Sequence, residues 1–306
     1  MNHSHSTPPA TNPVAGDPVT GRPAPRAGIS ARRVVLRGSV PIDGIDYVAA
    51  AAGDSPYAPG TVLTPGTLLA KPQPAWMFPP LSPEPDIPLN YTVIARHRRF
   101  MVVDKPHFLP TSSNGRLVRN TVQTRLRVAE DNPNIVPLHR LDRLTAGLVM
   151  CSTDPATRRD YHELFARRAV TKTYQARLVR PLPQLDTTFT ELVLPMVKQP
   201  GSRQVTVQDT AQATLTTTRL RLISRDDPTL VEMQPVTGFT HQLRVVCHHL
   251  GAPIIGDDTY PIDKGLNLAD FTHPLQLLAA TMAFTDPLDG HKYCFATLQS
   301  LQSAAS

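Results

Sequence analysis

Asp142 stands in the run Pro137-Leu138-His139-Arg140-Leu141-Asp142-Arg143-Leu144-Thr145-Ala146-Gly147-Leu148, just ahead of an apolar stretch that ends at Met150. It is one carboxylate among His139, Arg140 and Arg143, and nearby positive charge favours the ionised form of a carboxyl group. Ionised and held against a rigid strand, such a group can act as a nucleophile. The same twelve residues also suit a loop aspartate that is only salt-bridged. The segment by itself leaves both open.

The elements that must position this carboxylate follow from the hydrophobic pattern. Asn90-Tyr91-Thr92-Val93-Ile94 and Phe100-Met101-Val102-Val103-Asp104 are β-rich runs separated by basic, turn-like residues, and Lys105-Pro106 ends the second. Residues 121–130 suit a helix, with Val122, Leu126 and Val128 among basic residues. Asp154-Pro155 predicts a helix start, an N-cap carboxylate followed by Pro at the first helical position. The helix it opens would put Tyr161, Leu164 and Phe165 on one face and Arg158, Arg159 and Arg167 largely elsewhere. Strands are then expected over 173–179, 188–194, 204–207, 213–223 and 230–234. Strands joined by hairpins with few helices between them imply an α+β domain built on a mixed, mainly antiparallel sheet.

Composition sets the outer limits. The chain has 306 residues, 41% hydrophobic and 18% charged, enough for one large domain with appendages or two modest ones. No apolar run approaches the ~18 residues of a membrane helix. Met1-Asn2-His3-Ser4-His5 has neither a basic start nor an apolar stretch, so no signal peptide is expected. Cys151, Cys247 and Cys294 lie far apart without metal-ligand spacing and suit reduced thiols of a cytoplasmic protein. A net charge of +6 favours an anionic partner, nucleic acid being the commonest. The pairs Arg32-Arg33, Arg98-Arg99, Arg158-Arg159 and Arg167-Arg168 fit either a phosphate-tracking face or solvated surface.

Three parts are expected. Residues 1–27 carry six prolines and almost no large apolar side chains, and read as a disordered tail. Residues 28–89 form a small N-terminal region, with short apolar runs at 33–36 and 61–63, and a stiff linker through Pro79, Pro80, Pro83, Pro85 and Pro88. Residues 90–306 form the main domain.

Five ordered segments of that domain resemble one family, the RluA-type pseudouridine synthases. His139-Arg140-Leu141-Asp142 with Thr145 and Gly147-Leu148 resembles its active-site motif, in which the Asp is catalytic. Upstream, Phe100 to Pro106 is similar to the strand and Lys-Pro turn that open such domains. Downstream come Lys172-Thr173-Tyr174-Gln175-Ala176 and the segment Thr237-Gly238-Phe239-Thr240-His241-Gln242-Leu243-Arg244. Leu250-Gly251-Ala252-Pro253-Ile254-Ile255-Gly256-Asp257 follows, and Leu275 to Ala279 with Phe284 to Pro287 resembles the closing apolar strand. Two positions depart from the pattern. Phe239 replaces the usual Arg after Thr-Gly, and Val246 stands where a His follows the final Arg, with His248 and His249 slightly later.

The resemblance implies the fold of that family and isomerisation of specific uridines in ribosomal or transfer RNA by a monomer, without metal or other cofactor. Breaking the C1′–N1 bond and joining C1′ to C5 needs a carboxylate beside the sugar, to attack base or sugar or to assist removal of a sugar proton. Asp142 would be that group and Arg244 its ion-pair partner. Tyr174 would lie against the uracil or relay a proton, and Leu277 would wall the pocket, although a strand Tyr or Leu is equally at home in a core. His139, Arg140, Arg143, Lys172, His241 and Gln242 would bind substrate. Two other readings remain: an RNA-binding protein of this fold without activity, and a glycosidase-like hydrolase with Glu163 or Asp257 as second carboxylate.

Overall fold

The computed structural model describes residues 16–113 and 115–302. The chain divides into two compact units, 1–83 with 124–133, and 84–123 with 134–306.

The first unit is β-rich. A two-stranded hairpin, β1 (Gly16–Asp17) and β2 (Arg22–Pro23), precedes a four-stranded antiparallel sheet. That sheet joins β3 (Arg32–Leu36), β4 (Tyr47–Ala49), β5 (Val62–Leu63) and β6 (Gln73–Met77) in the order β3-β6-β4-β5. Leu36, Val40, Tyr47, Ala49, Leu63 and Ala75 form its core. Residues 16–27 correct the expectation of a disordered tail. The Thr20 carbonyl accepts the Trp76 indole N–H at 3.1 Å and the Ala51 N–H at 3.0 Å, and the Asp17 carboxylate caps Val19 N at 2.9 Å. Partners supplied by the sheet offset an ordering cost that the segment's own side chains could not. Residues 1–15 of the expected tail lie outside the described residues.

The second unit begins earlier than expected, at Glu84 rather than residue 90. The Glu84 carboxylate accepts three backbone N–H groups, from Val118 at 2.8 Å, Arg119 at 2.9 Å and Asn120 at 2.9 Å, which ties the proline segment to this unit. Among the described residues its sheet has eleven strands: β7 (Thr92–Arg96), β8 (Phe100–Lys105), β9 (Val136–Pro137), β10 (Ala146–Ser152), β11 (Thr171–Arg177), β12 (Thr190–Lys198), β13 (Val205–Val207), β14 (Thr214–Leu222), β15 (Leu230–Pro235), β16 (Leu277–Thr285) and β17 (Lys292–Ala296). The order is β13-β12-β14-β15-β11-β16-β10-β8-β7, with β17 on β16 and β9 on β10. β10 and β16 run parallel and the other pairs are antiparallel, so the mixed, mainly antiparallel α+β fold is as expected.

Among the described residues three helices join the strands: α1 (Val122–Ala129), which spans the division between the units, α2 (Arg158–Ala166) and α3 (Gln242–His249). Phe100, Leu148, Met150, Met282 and Phe284 build a core that α2 covers with Tyr161, while Leu164 and Phe165 pack at its margin. Fully burying such a side chain stabilises by about 1.5–3 kcal/mol. α2 starts later than expected, at Arg158. The Asp154 carboxylate accepts from Ala156 N at 2.9 Å and forms a turn instead of capping the helix. β10 is buried along its whole length, as a strand between neighbours must be. At Gly147 (φ 109°) a Cβ would stand 2.3 Å from the Ala279 carbonyl oxygen, so only glycine lets β10 lie against β16 there.

Candidate active site

The loop from β9 to β10 carries Asp142 and is fixed at several points. Leu138 N donates to the Met150 carbonyl at 2.9 Å. Thr111 Oγ1 donates to the Leu141 carbonyl at 2.9 Å and accepts from Leu141 N at 3.1 Å. Lys105 Nζ, fully buried, donates to the carbonyls of Pro106, Leu109 and Arg143 at 2.9, 2.8 and 3.2 Å. Burial pushes Lys105 down to about 7, and the charge of Asp142 opposes that shift. A rigid loop thus presents a carboxylate that is 37% exposed.

Asp142 opens into a cleft of about 650 Å³ that is also lined by Tyr174, Arg244, Arg140, Arg143, Lys172, His241 and Leu277. The sequence-predicted residues therefore converge, although they come from the β9–β10 loop, β11, α3 and the head of β16. Tyr174 and Lys172 stand two apart on β11, and a register shift between Thr173 and Tyr174 adjusts where the ring points. Burial and, secondarily, Asp142 push the Tyr174 phenol up, so it is a neutral ring and a proton donor rather than a phenolate. Burial also lowers Lys172. Arg140 is exposed on the cleft rim, while Arg143 lies 5.7 Å over the Phe108 ring and donates to the Asn267 carbonyl at 3.1 Å.

Arg244 faces Asp142 as expected, but its shortest bonds go to two other acids. Its Nε and Nη2 donate to Asp257 at 2.8 and 2.6 Å, and Nη2 also donates to Asp258 at 2.9 Å. Asp142 Oδ2 stands 3.6 Å from the remaining nitrogen, Nη1. Asp257 is thereby excluded as the free second carboxylate of a hydrolase, since it is buried and also accepts from Thr259 N at 2.8 Å and Tyr260 N at 2.9 Å. Glu163 is spent as well, on Arg159 at 3.2 Å and Arg167 at 2.8 Å along α2.

Two predicted substrate binders, His139 and Gln242, also line the cleft but have polar atoms engaged within the protein. His139 Nε2 accepts the Met150 N–H at 3.1 Å and its ring stacks on Phe165 at 4.9 Å. Burial pushes it down to about 3, so it is a neutral packing residue and no cation beside Asp142. Gln242 donates both amide hydrogens inward, to the Thr217 carbonyl at 3.0 Å and Thr218 Oγ1 at 2.9 Å, and ties α3 to β14. Members of the arginine pairs differ in their surroundings. Arg99 is buried against Asp286 at 2.9 Å and the Tyr161 hydroxyl at 2.8 Å, whereas Arg168 lines the cleft.

Sequence reasoning missed the roles of Lys105, Thr111 and Asp258. Lys105-Pro106 and Gly256-Asp257 stood in recognisable segments, but nothing local to them said which groups they would hold. Among the described residues no group of three or more His, Cys, Asp or Glu side chains is arranged to hold a metal ion, and no helix is long and apolar enough to cross a membrane.

The model of a family described as RNA pseudouridylate synthase matches residues 99–249, which include Asp142, Tyr174 and Arg244. The Yersinia pestis dual-specificity RNA pseudouridine synthase RluA is 34% identical over 197 residues, covering 64% of this chain and 92% of that protein. Human pseudouridylate synthase RPUSD2 is 33% identical over 182 residues, 60% of this chain, and the match spans only 32% of the human protein. The yeast mitochondrial tRNA pseudouridine(32) synthase is 32% identical over 175 residues, 56% of this chain and 37% of that one. Among solved structures, human RNA pseudouridylate synthase domain containing 1 superposes with a TM-score of 0.55 at 26% identity, covering 71% of this chain and 86% of its own.

Proposed function

This chain belongs to the RluA-type family of RNA pseudouridine synthases, and on that premise we propose that it isomerises uridines in ribosomal or transfer RNA to pseudouridine with Asp142 as the reacting carboxylate. The observation that carries the reading is the state of Asp142. It is exposed to a cleft large enough for a flipped nucleoside, faces a buried arginine, and has a neutral tyrosine and an apolar Leu277 beside it.

Each group then has a task. Arg244 turns Nη1 toward Asp142 Oδ2, 3.6 Å away, and so lines the side of the cleft where the carboxylate reacts. The uridine leaves its stack at a cost of a few kcal/mol and enters with its base against Tyr174 and Leu277. Asp142 meets the sugar or base as the C1′–N1 bond breaks. C1′ then joins C5, which is briefly tetrahedral, and the C5 hydrogen leaves as a proton. Tyr174 stays protonated throughout this reading and assists as a donor or a stacking face. Arg140, Arg168 and Lys172 supply positive charge along the cleft for the RNA backbone. The protein is proposed to act as a cytoplasmic monomer without cofactor.

The Asp142–Arg244–Tyr174 arrangement disfavours a binding protein without activity, and the engagement of Asp257 and Glu163 disfavours a hydrolase. The test is incubation of the purified protein with ribosomal and transfer RNA transcripts labelled with tritium at uridine C5. Tritium should enter water while the RNA mass is otherwise unchanged. Transcripts carrying 5-fluorouridine should give a rearranged product or a long-lived complex, because fluorine cannot leave as a cation. Free base with an abasic sugar, or RNA returned unchanged, would overturn the proposal.

A further inference from the structure

Tyr260 belongs to neither the sequence-predicted site nor the walls of the main cleft, yet it touches a residue that faces Asp142. Val205 N donates to the Tyr260 hydroxyl oxygen at 2.7 Å. That bond uses the phenol oxygen as an acceptor and leaves its own hydrogen to be placed. His241 Nδ1 lies 3.2 Å from the same oxygen, with the two rings edge-to-face at 5.7 Å. When the phenol donates to Nδ1, the neutral imidazole must carry its hydrogen on Nε2. Nε2 faces Asp142 Oδ2 at 3.8 Å, and Arg244 Nη1 approaches the same oxygen at 3.6 Å. Two donors thus converge on Oδ2, and Oδ1 is left without a partner among the described residues.

The backbone adds an independent sign. His241 precedes α3 with φ 56° and ψ 15°, the left-handed region that side chains other than glycine rarely adopt. Such strain persists where the surroundings hold it, commonly at functional sites. The groups facing the imidazole are Asp142, Arg244, Lys198 and Asp257; burial, helped by the cations Arg244 and Lys198, outweighs the pull of the two acids, so His241 titrates below the ordinary histidine range.

We propose that Tyr260 fixes His241 as the Nε2–H tautomer and that His241 thereby orients Asp142, both acting as positioning residues for the reaction. The proposal deepens the synthase reading and rests on it. The gaps of 3.6 and 3.8 Å exceed hydrogen-bond reach. In substrate-free sites such contacts are often long and tighten once the substrate is bound. With Oδ2 engaged by Arg244 and His241, Asp142 would present Oδ1 to the sugar in one orientation instead of rotating between equivalent ones.

The test has a part that needs no RNA. Nitrogen-15 spectra of the full chain with labelled histidines, assigned by loss of one signal set in His241→Gln, should show His241 neutral with its proton on Nε2. A proton on Nδ1 would overturn the proposal. Tyr260→Phe should give a mixture of tautomers and lower kcat about tenfold with KM within about twofold, as expected for misorientation of a bound reactant. His241→Leu should lower kcat at least as much. His241→Gln, whose amide N–H can still point at Asp142, should recover part of it. An unchanged kcat in Tyr260→Phe, or Gln no better than Leu, would also overturn it. Should the wild-type protein show the Nε2–H tautomer but no turnover on any RNA, the synthase reading would fall and the orienting role with it, while the hydrogen-bond assignment would stand.

Discussion

Asp142 and Asp257 meet the same guanidinium, and the protein treats them in opposite ways. Asp257 has a side chain only 1% exposed and takes two short bonds from Arg244 and two more from the backbone N–H groups of Thr259 and Tyr260. The Asp142 side chain is 37% exposed, stands 3.6 Å from Arg244, and its carboxylate accepts no hydrogen bond among the described residues. A buried carboxylate without partners is very costly, so Asp257 is saturated. A carboxylate meant to meet a substrate must keep unspent acceptor capacity, and Asp142 does. One arginine serves both demands because its fork is rigid: two nitrogens are locked by the structural acids and the third is held toward the reactive one.

Breaking the comparison at each end should give opposite phenotypes. Asp142→Asn should lower turnover by more than about 10³-fold, the scale for losing a reacting group. Its thermal unfolding should move by less than about 0.5 kcal/mol, since no structural bond is lost. Asp257→Asn should do the reverse and cost about 3 kcal/mol of stability, the low end for breaking a buried pair because Asp258 still reaches Arg244. A double-mutant cycle should give Arg244 and Asp257 a coupling in the upper part of the roughly 0.5–3 kcal/mol range for contacting residues. For Arg244 with Asp142 the coupling should stay below about 0.5 kcal/mol. Strong coupling to Asp142 and none to Asp257 would reverse the two roles.

The sequence made Asp142, Tyr174 and Arg244 legible as one site because three separate segments matched one pattern, and the structure brings them into one cleft. It did not disclose Asp257 and Asp258 as the holders of Arg244, because a charge partner is chosen by tertiary geometry. The internal bonds of two cleft residues were hidden for the same reason: nothing in the types of His139 or Gln242 says that Met150, Thr217 and Thr218 engage them. α3 escaped notice because Leu243, Val245, Val246 and Cys247 are buried together, and a short apolar run fits helix and strand alike. Residues 16–27 order through Trp76, far along the chain, which composition could not show.

His139 sharpens the contrast within a single loop, since it lies three positions before Asp142 yet is satisfied like Asp257. Its unfolded form takes up a proton near the ordinary histidine value, whereas the folded form resists until about 3. Between those values acid favours the unfolded chain, so the protein should lose stability as pH falls below about 6.5, by about 2 kcal/mol at pH 5 from this residue alone. His139→Gln keeps an acceptor for Met150 N but does not titrate. Melting curves at pH 5 and 7.5 should therefore show a smaller acid loss in the variant than in the parent. Equal losses would mean that His139 is already charged in the folded protein.

The smallest expected effect concerns Phe239, which lines the cleft where the family pattern has Arg. Its half-buried ring adds apolar wall and no charge, so the backbone of a bound RNA finds one cation fewer near Asp142 than that pattern would supply. Phe239→Arg should raise RNA affinity less than about tenfold at low salt and steepen the fall of log K against log salt by about 0.7–0.9, the increment for one added phosphate contact. Turnover should change little, because Asp142 keeps Arg244 and needs no second permanent charge. Filter binding at several salt concentrations reads the slope directly. A slope left unchanged would place position 239 against the base instead of the phosphates. A sharp fall in turnover would mean that the new cation had captured the free oxygen of Asp142, and that its unspent capacity depends on keeping this wall apolar.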